Sequence, residues 1–167
     1  MKQHALVLLL LCSALAWGAA CSAPSGQDAA PPLAIGAGQQ DRLIEGPQAR
    51  SMVDAMHPTP VAPVSSWVGY YGVGKGITIY ASKFNDPAQA QSSIEAMKTT
   101  MGQDKSGFTP PESQMVARQA GFHTTGVNKE HFFYTRGSWL IWIEGQSGDF
   151  EPTVKSIRWV RASKEQP

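Results

Sequence analysis

"EHFFYTRGSWLIWIEG", Glu130 to Gly145, is rich in aromatic and β-branched residues, and Arg136-Gly137 interrupts it with a turn signal. Such a run reads as a β-hairpin. With a two-residue turn at that point, Tyr134 faces Trp139 and Phe132 faces Ile141 on one side. Phe133 faces Leu140 and His131 faces Trp142 on the other. Both sides are apolar, so the hairpin belongs at the centre of a sheet that is covered on each face.

A second hairpin lies upstream. The strand-forming runs Trp67–Tyr71 and Ile77–Phe84 flank the glycine-rich segment Gly72 to Gly76, as a bend between paired strands requires. The spacing from Gly69 to Gly74-Lys75 also matches the start of a phosphate-binding loop. That motif needs Ser or Thr after the Lys, where this chain has Gly76, and a helix where Ile77 begins a strand pattern. The glycines therefore read as a turn.

Helices surround the hairpins. Glu45 to His57 carries one apolar stripe (Ala49, Met52, Val53, Met56), with Pro47 in its first turn and Pro58 beyond it. The segment from Asn85 to Gly102 has Asp86 as N-cap, Pro87 at the first helical position and Gln89 three residues after the cap. Its inward residues are Ala90, Ile94, Met97 and Met101, and Gly102 sits where a left-handed C-terminal glycine is common. Asp149 to Ala162 reads as a last helix with Phe150, Val154, Ile157 and Val160 inward. Ser113 to Val127 reads as one or two short strands broken near Gly121. The expected class is α+β, a mostly antiparallel sheet built from two hairpins and packed with two to three helices.

The N-terminus reads as an address. Lys2 and His4 precede the apolar run Ala5 to Trp17, and small residues Gly18-Ala19-Ala20 lead to Cys21, which is the layout of a secretory signal. The run is short of the ~20 residues a membrane span needs. Cys12 would leave with the signal, so Cys21 is the one thiol expected in the mature chain, where it cannot form an internal disulfide. The leader resembles the lipobox of bacterial lipoproteins, in which small residues precede a Cys that is diacylated and becomes the new N-terminus; Gly18 stands where that pattern favours Leu. The resemblance implies lipidation of Cys21 and attachment to a membrane of the cell envelope. Ser22 resembles the residue that directs enterobacterial lipoproteins to the outer membrane. The expected organisation is a signal over 1–20, a flexible Ala-, Pro- and Gly-rich tether over 21–40 and one α+β domain over 41–167.

Charge narrows the function. The 14 Lys and Arg, less Lys2, balance the 13 Asp and Glu, so the mature chain has no overall electrostatic footprint for nucleic acid. His57, His123 and His131 lack the i, i+4 spacing of a helical metal pair, so no metal or other cofactor is expected. "GQSGD" (Gly145 to Asp149) departs from the nucleophile elbow, with Asp149 in place of the last Gly. Carboxylates are scattered, and the basic residues Lys155, Arg158, Arg161 and Lys164 recur every three positions, which drifts around a helix. The candidate ligand or partner surface is aromatic: Tyr70, Tyr71 and Trp142, with His131 beside them. The expected function is a lipid-anchored envelope module that binds a ligand or partner without catalysis. Two alternatives stand beside it: an envelope hydrolase using His131 and Ser147, and an accessory subunit of an envelope assembly.

Overall fold

The structure, a computed structural model, describes residues 27–57, 61–72, 76–103, 105–126 and 128–161. The leader, with Cys21, lies outside them. In chain order the elements are β1 (Gln27–Ala30), β2 (Ala34–Ile35), β3 (Gly38–Glu45), α1 (Gly46–Ala55), β4 (Ser65–Tyr71) and β5 (Ile77–Lys83). Then come α2 (Pro87–Met101), β6 (Glu112–Val116), β7 (Gln119–Gly126), β8 (Lys129–Arg136), β9 (Trp139–Gly145), α3 (Ser147–Ser156) and β10 (Arg158–Arg161). Eight strands form one sheet in the order β2-β3-β4-β5-β9-β8-β7-β6, with antiparallel neighbours throughout. Strands β1 and β10 pair as a separate antiparallel ribbon. The fold is α+β.

Both expected hairpins are present, and they meet at the centre of the sheet through β5 and β9. The second hairpin turns one residue later than expected. Arg136 pairs with Trp139, so the loop is Gly137-Ser138, and Gly137 takes a φ of +58°. A two-residue loop of this kind needs Gly at its first position to match the strand twist. The shift moves both strands together, so partners change while faces do not. His131 pairs with Glu144 instead of Trp142, and Phe133 pairs with Trp142.

Helix α2 follows its sequence closely. Asp86 accepts a hydrogen bond from the Gln89 amide at 2.8 Å, and Ala90, Ile94, Met97 and Met101 are its buried residues. Gly102 ends it with φ of −71°, not in the left-handed region.

Three segments differ from expectation. The turn between β6 and β7 is at Ala117-Arg118, with φ of +50° and +66°, not at Gly121. Side chains disfavour that region, so nothing in the composition announces a turn there. Gly121 instead lies inside β7, where a Cβ would come within 2.6 Å of the Phe132 ring and the Phe133 carbonyl oxygen. The last helix stops at Ser156, because Ile157 turns extended and Arg158–Arg161 pair with β1; Val160 is consequently exposed. Residues 27–40, expected as tether, hold β1, β2 and the start of β3. These short strands are secured by backbone pairing to distant partners, which local composition does not reveal.

The sheet divides the molecule into two layers of core. On one face α3 and the ribbon cover Trp67, Tyr71, Ile79, Phe132, Tyr134 and Ile141. On the other, α2 packs on Phe133, Leu140 and Trp142, and α1 packs on Ile44 and Val68.

Candidate functional site

Helix α1 contacts β3, β4 and β5, whereas α2 contacts β8 and β9. The space between them lies over the central pair β5–β9, and there a groove opens. Its floor is the cross-strand pair Tyr80 and Trp142, whose ring centroids are 6.4 Å apart and nearly edge to face. Met56, His57 and Val61 form one wall, and Ser93, Ala96, Met97, Thr100 and Met101 of α2 form the other. Phe108 closes an end. The main cavity holds about 630 Å³, and a branch of about 360 Å³ shares Met56, Phe108 and Trp142 and reaches Tyr80, Lys129, His131 and Glu144.

Alternation along the strands explains the floor. Tyr80, Trp142 and His131 point to the helix α2 side, while Ile79, Ile141 and Phe132 point to the other. Phe108 is held over His131 and Trp142 with ring centroids at 5.3 and 6.1 Å. Its position depends on Ser106, whose hydroxyl donates to the Met101 carbonyl and accepts from the Phe108 amide. Gly126 is required beneath it, since a Cβ there would come within 2.3 Å of the Phe108 ring.

His131 is buried in this wall. Trp142 donates its indole N–H to His131 Nδ1 at 3.0 Å. Nδ1 must therefore be the acceptor, so Nε2 carries the proton and donates it to the Gly126 carbonyl at 3.0 Å. Burial is the main cause of its lowered pKa, with Lys129 and His123 adding to the effect and the Gly126 bond and Glu144 opposing it. The ring is neutral with both nitrogens occupied, and no lone pair is left to take a proton from a substrate. Tyr80, at the inner end, is pushed up to about 12 by burial, with the Glu144 carboxylate and Tyr70 adding to it. Glu144 is itself paired with Lys129.

The aromatic surface expected from the sequence is thus divided. Trp142 and His131 meet in the groove. Tyr70 is half-buried against the α1 cluster. Tyr71 does not belong to any surface: it is 1% exposed on the opposite face, and its hydroxyl accepts from Gln40 at 3.2 Å. Adjacent strand residues face opposite ways, so Tyr70 and Tyr71 could not both line one site. Ser147 is exposed at the start of α3, across the sheet from His131. His123 bonds Glu130 at 3.1 Å on that same far side, beside Phe150. Among the described residues no three metal-ligating side chains gather, and no helix is long and apolar enough to cross a membrane.

Sequence reasoning missed Tyr80, Phe108, Met56 and the Met97–Met101 wall as site residues. The methionines were visible as the inner stripe of a helix, but such a stripe does not say whether it meets a neighbour or a gap. No protein-family model, curated protein or solved structure matches this chain.

Proposed function

We propose that this chain is an exported envelope protein held to a membrane by lipid on Cys21, whose domain binds a small apolar ligand in the α1–α2 groove without catalysing a reaction. The groove is the observation that carries the binding half. Its volume falls within the ~300–1,000 Å³ of small-molecule sites, which are concave and mostly apolar with a few polar groups. Methionines line it, and their unbranched, polarizable chains adapt to irregular ligands. A flat aromatic patch would instead suit a protein surface. The engaged nitrogens of His131 and the distance of Ser147 weigh against a hydrolase.

Two measurements test the reading. Titration with the apolar dye N-phenyl-1-naphthylamine is expected to saturate, and Ala96→Trp is expected to abolish binding by filling the groove from an exposed helix position. Unsaturable binding, or binding unchanged in the variant, would count against the groove. For the anchor, Cys21→Ser is expected to release the protein from membranes and to remove metabolic fatty-acid label. Retention of the label in that variant would sink the lipid assignment.

A further inference from the structure

A second cavity, of about 360 Å³, lies on the face away from the groove, where the β6–β7 turn, β8, the end of α3 and β10 come together. Arg118, Arg136 and Lys155 line it, with Tyr134, Gln119 and Trp159 between them, and no carboxylate is among its lining residues. Lys155 pairs with Glu151 on the helix surface. Among the described residues neither Arg118 nor Arg136 makes an ion pair. Arg136 stacks on Trp159 at 4.4 Å and bonds Gln27, a contact that fixes the guanidinium without cancelling its charge.

Tyr134 supplies an independent sign of a ligand. Its side chain is 1% exposed, and among the described residues its buried hydroxyl has no hydrogen-bond partner. Native proteins rarely leave such a group unpaired, and each case calls for an explanation. An oxygen acceptor entering among the arginines would provide the missing partner.

The anchor decides the source of that acceptor. Gln27, which touches Arg136, is six residues after Cys21, and six residues span at most about 20 Å. A lipid on Cys21 would thus hold this cavity close to the headgroup layer. The small formal charge of the whole chain, +1, hides this, because a net charge is blind to clustering.

We propose that the cavity of Arg118, Arg136 and Lys155, with Tyr134 among its lining residues, takes the phosphate of an anionic lipid headgroup and so orients the domain on the membrane. The lipid source rests on the Cys21 anchor; the phosphate chemistry rests on the cavity.

The test uses the chain from residue 21 onward carrying Cys21→Ser, which has neither the apolar leader nor a site for acylation, so that vesicle binding reports the cavity. Co-sedimentation is expected with vesicles of phosphatidylcholine mixed with phosphatidylglycerol, and not with phosphatidylcholine alone. Arg118→Gln is expected to weaken it about fivefold, the usual effect of one basic side chain at an anionic surface. Tyr134→Phe, which keeps the fold and removes only the hydroxyl, is expected to weaken it as well. Arg50→Gln, on α1 across the sheet, is expected to change nothing.

Equal loss in Arg50→Gln and Arg118→Gln, or no loss in Tyr134→Phe, would overturn the cavity in favour of diffuse attraction. Binding of inorganic phosphate without preference for the anionic vesicles would overturn the lipid source. Fatty-acid labelling of the wild-type chain is read separately. Vesicle binding that persists where wild type takes no label supports the cavity while removing the anchor.

Discussion

The two faces of the sheet are closed by different means. Beneath α3 and the ribbon, Phe132, Tyr134, Ile141, Ile143 and Phe150 pack against one another with almost no exposure. On the other face α1 and α2 each cover their own strands and stop short of each other. Two helices of ~10 Å diameter cannot carpet eight strands spaced ~4.8 Å apart. The uncovered strip falls over β5 and β9, so the central hairpin pair is core on one side and groove floor on the other.

Alanine substitutions on the two faces provide the largest test of this difference. Phe132→Ala is expected to cost ~3–5 kcal/mol in urea unfolding, as a large ring removed from a sealed core. Met97→Ala, beside the groove, is expected near the bottom of the ~2–5 kcal/mol range for Met, because part of its surroundings is already empty. Equal losses would mean that the groove closes in solution. Gly121→Ala probes the sealed face from the backbone. Its methyl would collide with Phe132 and a carbonyl oxygen, and an expected loss of ~1–3 kcal/mol follows from overpacking.

The sealed face and the groove were unequally legible in the sequence. Alternation in β8 and β9 assigned every ring to its face, even though the turn was placed one residue early. The capping pattern of Asp86, Pro87 and Gln89 marked the start of α2, and the apolar spacing marked its buried side. Elements secured by distant pairing were hidden. Gln27–Ala30 has the composition of a linker, and Arg158–Arg161 continues an apolar helical spacing, yet each is a strand because the other is there. The Ala117-Arg118 turn lacks the glycine that would announce it. The groove was hidden for a related reason: it is a gap between helices, whose lateral separation is set by which strands each one covers.

His131 tests the groove side through pH. Its folded-state pKa is lowered from 6.5, so below that value the unfolded chain binds a proton that the folded chain refuses. This contribution to stability is present above pH ~6.5 and is lost as pH falls toward the folded pKa. One residue supplies at most ~1.4 kcal/mol per pH unit. His131→Gln is expected to flatten that part of the profile, and the difference between the two pH profiles isolates this residue. An unchanged slope would show that His131 is protonated in the folded state, contrary to the Trp142 hydrogen bond.

Tyr134→Phe gives the smallest and most discriminating change on the face beneath α3. A buried hydroxyl in a satisfied network would cost ~1 kcal/mol or more to remove. Among the described residues the Tyr134 hydroxyl has no partner, and it carries a desolvation penalty that Phe avoids. The variant is therefore expected to be as stable as wild type, or more stable by up to ~1 kcal/mol, in buffer without phosphate. Anionic vesicles should reverse the order by giving the wild-type hydroxyl its acceptor. A loss of stability in plain buffer would mean that a water already serves the hydroxyl, leaving the Trp139 indole N–H as the unpaired buried side-chain group among the described residues of this face.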